Sequence, residues 1–121
     1  MNNENKNRVY DLEERTAKFG EAVILFCKNV QRSPINDPLV TQLVKAGTSV
    51  GANYSEADDA VSKADFRNKI GICKKESRES KHFVRMIVTA EPELKDKGGA
   101  LWQEGKELNL IFNAIFKKLK D

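Results

Sequence analysis

The chain has 121 residues, 40% of them apolar and 32% charged, with a net charge of +3. That length supports one domain with a sizeable core. The longest apolar run, residues 22–27, is far short of the roughly 18 residues needed to span a bilayer, and the polar opening lacks the apolar region of a signal peptide, so a cytoplasmic setting with no membrane partner is expected.

Apolar residues recur at alternating steps of three and four along most of the chain, which is the period of amphipathic helix. The first helix is expected at about 11–32. Asp11, with Glu14 three residues on, resembles a capping box, and Ser33-Pro34 stops the helix because the residue before proline disfavours helical dihedrals. Its apolar seam is Leu12, Thr16, Phe19, Val23, Phe26 and Val30. A second helix, about 37–60, starts at Asp37-Pro38, an N-cap followed by a proline at the first helical position. Leu39, Leu43, Ala46, Val50, Asn53 and Ala57 form its seam. Ser62, with Asp65 placed like a capping-box acid, opens the third helix at about 63–90. Its seam runs through Phe66, Ile70, Cys73, Ser77, Ser80, Val84 and Ile87. Gly98-Gly99 is read as a loop, and the fourth helix, about 100–119, carries Leu101, Gly105, Leu108, Phe112, Ile115 and Leu119.

Short connections make successive helices antiparallel. Counting away from each turn places Phe19, Val50, Cys73 and Ile115 in one layer. Val23, Ala46, Ser77 and Phe112 fall in the next, and Phe26, Leu43, Ser80 and Leu108 in a third. Large residues then face small ones, as close packing requires. The expected fold is all-α: one antiparallel up-down-up-down four-helix bundle over residues 1–121.

Several residues break the pattern. Asn53 occupies the seam opposite Thr16, and Glu56 follows one turn on. A buried amide must have its hydrogen bonds met, so Thr16, Asn53 and Glu56 are expected to form a satisfied polar layer. Gly47 and Gly51 lie one step off the seam, on a second stripe with Val40, Val44 and Tyr54. Helix 1 shows a matching stripe of Ala17, Gly20, Ile24 and Cys27. This is either a wide core face or an interface between subunits; Ile24, Val40, Val44, Gly47, Gly51 and Tyr54 are the candidates for the interface. Trp102 also falls off its seam, covering an end of the bundle or entering an interface.

The charge is unevenly spread. Residues 63–85 carry 8 basic and 3 acidic side chains, against 7 and 9 in residues 1–62 and 6 and 6 in residues 86–121. Arg67, Lys74, Arg78, Lys81 and Arg85 form a basic stripe beside the helix 3 seam, extended by Lys63, Lys75 and His82. It is either a solvated face, partly neutralised by Glu76 and Glu79, or a phosphate-binding surface for RNA or DNA. No aromatic residue interleaves with it, so backbone contact rather than stacking on single-stranded bases is the expected mode. Cys27 and Cys73 sit in apolar segments and read as buried, reduced thiols. With His82 the only histidine, no metal set is spelled. No nucleophile–base pair or phosphate loop is spelled either, so no enzymatic activity and no cofactor are expected.

The run Ala46-Gly47-Thr48-Ser49-Val50-Gly51-Ala52-Asn53-Tyr54, then Glu56-Ala57, then Ser62-Lys63-Ala64-Asp65-Phe66, with Lys69 and Glu76, closely resembles a bacterial family of four-helix bundles. These proteins are encoded in intervening sequences of 23S ribosomal RNA genes and labelled ribosomal-protein-like. Tyr10-Asp11-Leu12 fits as well, and the resemblance covers roughly residues 9–120. It implies a ring-like homopentamer with no known enzymatic activity. A related branch comprises accessory proteins of diversity-generating retroelements, basic pentamers that work with a reverse transcriptase and RNA; the present chain carries only a modest positive charge. Two functions follow as expectations. One is nucleic-acid or ribonucleoprotein binding through helix 3. The other is a structural adaptor that takes a protein partner on the helix 1–2 face.

Overall fold

The computed structural model describes the backbone of residues 3–119 and the side chains of residues 12–119. Four helices follow one another: α1 (Asn3–Lys28), α2 (Asn36–Asp58), α3 (Lys63–Ala90) and α4 (Lys95–Lys118), with a short 3-10 turn at Pro92–Leu94 before α4. Among the described residues there is no strand. Successive helices pack on one another, and α1 closes the bundle against α4 through the smallest of the four helix–helix interfaces.

The seams are where the period places them. Phe19, Val23 and Phe26 of α1 meet Leu43 and Val50 of α2, Ile70, Cys73, Val84 and Ile87 of α3, and Leu108 and Phe112 of α4 in one buried core. Burying each large apolar side chain contributes about 1.5–3 kcal/mol. Ser77 and Ser80 are fully buried too. Their hydroxyls donate to the carbonyls of Lys74 and Glu76 at 3.0 and 2.8 Å, so α3 presents small, satisfied side chains to its bulky neighbours.

The ends of the helices differ from expectation at several points. α1 runs unbroken through position 11, with neither glycine nor proline in residues 3–10 to stop it; the Asp11 side chain lies outside the described residues. α1 ends at Lys28, and Val30 stays buried beyond it. At α2 the cap sits one turn earlier than Asp37. The Ser33 hydroxyl accepts the Asn36 N–H at 2.9 Å and the Ser33 carbonyl accepts the Asp37 N–H at 2.9 Å. Pro34 then stands where a helix tolerates the missing donor, and Asp37 instead receives the Arg32 guanidinium at 2.9 Å. Ser62 does cap α3, accepting the Asp65 N–H at 3.0 Å from an extended backbone.

Gly98-Gly99 is not a loop but part of α4. Gly98 is buried, and a Cβ there would run into Val88 Cγ2. The glycine is there for a close approach of α3 and α4, not for a turn. The layers hold between neighbours: Cys73 Sγ donates to the Val50 carbonyl at 3.5 Å, and Val23 fills the space in front of Gly47. They fail across the closing pair. Phe19 reaches Gly105 rather than Ile115, and Phe26 reaches Gly98 rather than Leu108. Helices in such bundles cross at about 20°, so flat layers drift out of register by the time the fourth helix returns to the first.

Candidate nucleic-acid interface

The five stripe cations lie on the flank of α3 beside α4. Arg78 and Arg85 are exposed, while Arg67, Lys74 and Lys81 are half-buried. What half-buries them is aromatic. Arg67 Cζ stands 3.8 Å from the centroid of the Phe116 ring, and Lys74 Nζ stands 5.1 Å from it. Further along, Lys81 Nζ and Lys106 Nζ lie over the Trp102 ring at 5.2 and 5.7 Å. Cation–ring contacts of this kind are worth about 0.5–1 kcal/mol at exposed sites and more when desolvated. Gly71 makes room for the first station, since a Cβ at that position would sit 3.0 Å from Phe116 Cε1. Asn109 Nδ2 ties the two helices together between the stations, donating to the Lys74 carbonyl at 2.7 Å.

The charge of these groups is not spent on carboxylates. Among the described residues, ion pairs engage Arg15, Lys18, Arg32, Lys69 and Lys75, and none of the five stripe cations. Glu79 leans to Lys75 at 4.0 Å. Glu76 is half-buried, and burial pushes its carboxyl above the usual range. Neither forms an ion pair with a stripe cation. Arg67 Nε is buried without a hydrogen-bond partner, so stacking on Phe116, not a carboxylate, holds its planar fork. Two hollows flank Phe116. One, of about 820 Å3, is lined by Lys63, Arg67, Asn68, Lys75 and Lys118. The other, of about 570 Å3, is lined by Lys74, Lys75, Arg78, His82 and Phe83, with one carboxylate, Glu79. A guanidinium held over a ring keeps its N–H fork free of carboxylates, and that fork matches the geometry of a phosphate.

Sequence reasoning found the cations and missed the rings, because it looked for aromatics along α3 alone. Phe116 and Trp102 come from α4. The signal was present in the register, which sets Phe116 opposite Gly71, and in Lys106 one turn after Trp102.

The expected polar layer does not form. Thr16 is buried and donates to its own helix, to the Leu12 carbonyl at 2.7 Å. It faces Gly51, whose Cβ would sit 3.3 Å from the Thr16 backbone, rather than Asn53. Asn53 is half-buried and donates to the Ser49 carbonyl at 2.9 Å, and Glu56 is exposed, paired with Lys69 at 2.8 Å. Each hydroxyl or amide finds a carbonyl one turn back, so no shared layer is needed.

The α1–α2 stripe divides. Gly47 is buried beneath Val23, Gly51 lies on the α1 backbone, and Tyr54 is buried with its ring 6.0 Å from that of Phe112. These three serve packing within the chain. Val40 and Val44 stay half-buried and Ile24 exposed, leaving an apolar strip on the outside. Burial pushes the Cys27 thiol to about 11 and the Cys73 thiol to about 12, as expected of inert core cysteines. Among the described residues, no three of His, Cys, Asp or Glu group as a metal-binding set, and no helix is long and apolar enough to cross a membrane.

A family model described as "23S rRNA-intervening sequence protein" matches residues 8–114. A crystal structure of a protein of unknown function from the S23 ribosomal protein family of Bacteroides thetaiotaomicron superposes with a TM-score of 0.76 at 25% sequence identity, covering 88% of this chain and 98% of its own. No curated protein matches.

Proposed function

The chain belongs to the family of 23S rRNA-intervening sequence proteins, and from that premise we propose that it is a non-enzymatic, cytoplasmic bundle that self-associates and binds nucleic acid through the face shared by α3 and α4. One observation carries the reading: five cations aligned on one flank, none paired with a carboxylate among the described residues, three of them held over aromatic rings. A solvated face has no use for such ordering. Contact is to the phosphate backbone, so it tolerates sequence and weakens with salt.

One stripe alone is a weak site, since non-specific affinities fall at about 10⁻⁴–10⁻⁶ M at physiological salt. A ring-like homopentamer repeats the stripe and raises avidity without new contacts. The outer strip of Val40, Val44 and Ile24 supports that assembly. Light scattering at micromolar concentration is expected to report several times 13.7 kDa, and Val44→Glu is expected to dissociate the particle with helicity kept; a monomeric wild type overturns the assembly.

The deciding experiment is a salt series of anisotropy titrations with labelled RNA and DNA. Arg78, Lys81 and Arg85 replaced together by Gln are expected to weaken binding and lower the slope of log K against log salt by about 2 to 3. If the substitutions change nothing, or the wild type binds neither polymer at low salt, the stripe is a solvated face. The α1–α2 face then becomes the place to look for a protein partner.

A further inference from the structure

Trp102 is the sole tryptophan of the chain, and it stands half-buried on the basic flank rather than in the core. Beside it, between the end of α3 and the start of α4, opens a hollow of about 370 Å3 walled by Val84, Val88, Gly98 and Gly99. Arg85 and Lys95 also line it, and no carboxylate does. Gly99 lies at its exposed edge, where a Cβ would meet nothing within 4 Å. An aromatic wall, an apolar interior and cations around it make a place for a flat ring tethered to phosphates. The size falls within the range of pockets that take small ligands, about 300–1,000 Å3.

We propose that this hollow seats one unstacked base against Trp102, so that the nucleic acid carried by the α3–α4 face is single-stranded. The inference rests on the nucleic-acid reading above and names its substrate class. A duplex turns its base faces inward and can offer the stripe only phosphates. A single strand can offer both, with Arg85 and Lys95 on the phosphates flanking the seated base. Stacking on an aromatic ring accepts any base, because every base has a π-face, which keeps the recognition sequence-tolerant.

The sole tryptophan reports on its own site. A short polypyrimidine RNA strand, the matching DNA strand and a blunt duplex of the same length are titrated at low salt while intrinsic emission is followed. Saturable quenching by the strands, and none by the duplex, is the expected result. Gly99→Leu adds a bulky side chain at the edge of the hollow, at an exposed helical position with room for it, so its circular dichroism and melting are expected to match the wild type. It is expected to weaken strand binding about tenfold with duplex binding unchanged, and Trp102→Leu is expected to weaken strand binding similarly. Equal affinity for strand and duplex without a change in emission, or full strand affinity in Gly99→Leu, overturns the seat while leaving backbone binding in place. Absence of binding to all three polymers removes the nucleic-acid reading itself.

Discussion

The α1–α2 and α3–α4 interfaces solve the same problem, two long helices side by side, with opposite materials. Between α1 and α2, Gly20, Gly47 and Gly51 bring the backbones close, and Val23 fills the gap at Gly47. Between α3 and α4 the inner seam is also tight, at Gly98 and Gly105, but the outer edge is made of arginine and lysine laid across Phe116 and Trp102. The first interface spends its surface on packing. The second keeps its charged ends available, so a change there is expected to alter binding more than stability.

The sharpest way to break that contrast is to overpack the first interface. Gly47→Leu would put even its Cβ 2.6 Å from Val23 Cγ2, and an expected loss of about 3 kcal/mol or more in urea unfolding follows. A cost below about 1 kcal/mol would show that α1 and α2 yield as easily as the α3–α4 edge. The counterpart is Phe116→Leu, which keeps an apolar side chain and removes the ring under Arg67 and Lys74. It is expected to cost only about 1 kcal/mol in stability while weakening RNA binding in the anisotropy assay. A variant that melts far lower with RNA affinity intact would reverse the assignment of roles.

The smallest effect is expected at the closing pair. Arg15 reaches across from α1 to both Glu104 oxygens at 2.7 and 2.8 Å and to Glu107 at 2.9 Å. Gln103 and Arg15 hold the Glu107 carboxyl below its ordinary range. A depressed carboxylate stabilises the fold above its unfolded value and loses that contribution as pH falls through the lower, folded value. Glu107→Gln is therefore expected to lower the neutral plateau of a melting-temperature profile slightly, leave the acid end unchanged, and so flatten the limb between them. A shift at neutral pH as large as that of Gly47→Leu would place the latch among the main determinants of the fold.

The seams were legible because burial imposes a strict period: Phe19, Val23, Leu43, Val50, Ile70, Cys73, Leu108 and Phe112 are all buried, and Val50 meets Cys73 as the count from the turn implies. What the period does not encode is the angle between helices, so Phe19 was set against Ile115 and met Gly105 instead. Glycine pairs were ambiguous for a physical reason. Gly98-Gly99 spells a turn locally, and only the proximity of Val88 reveals that Gly98 is a contact inside α4. The α3 cations were legible as a stripe. Their aromatic partners were harder to read, since the rings under Arg67, Lys74 and Lys81 come from α4 and only the pairing of the two helices brings them together. Thr16, Asn53 and Glu56 looked like a layer because the heptad hides how readily short polar side chains bond the preceding turn.

One small group has a kinetic consequence. The Asn36 side chain, at the entrance of α2, donates to the Gln31 carbonyl and to Glu91 at the exit of α3, each at 2.9 Å, and it is almost entirely buried. The bond to Glu91 joins residues 55 positions apart. In a hairpin of α1 and α2 alone, that amide would face water at no penalty. Once α3 docks, the amide must find Glu91 or stand desolvated with its donor unused. The contact therefore favours either the unformed or the complete bundle over states in which α3 is misaligned by a turn. The bond ties the entrance of α2 to the exit of α3, and Asn36→Ala is expected to slow refolding or add a slow phase that the native chain lacks.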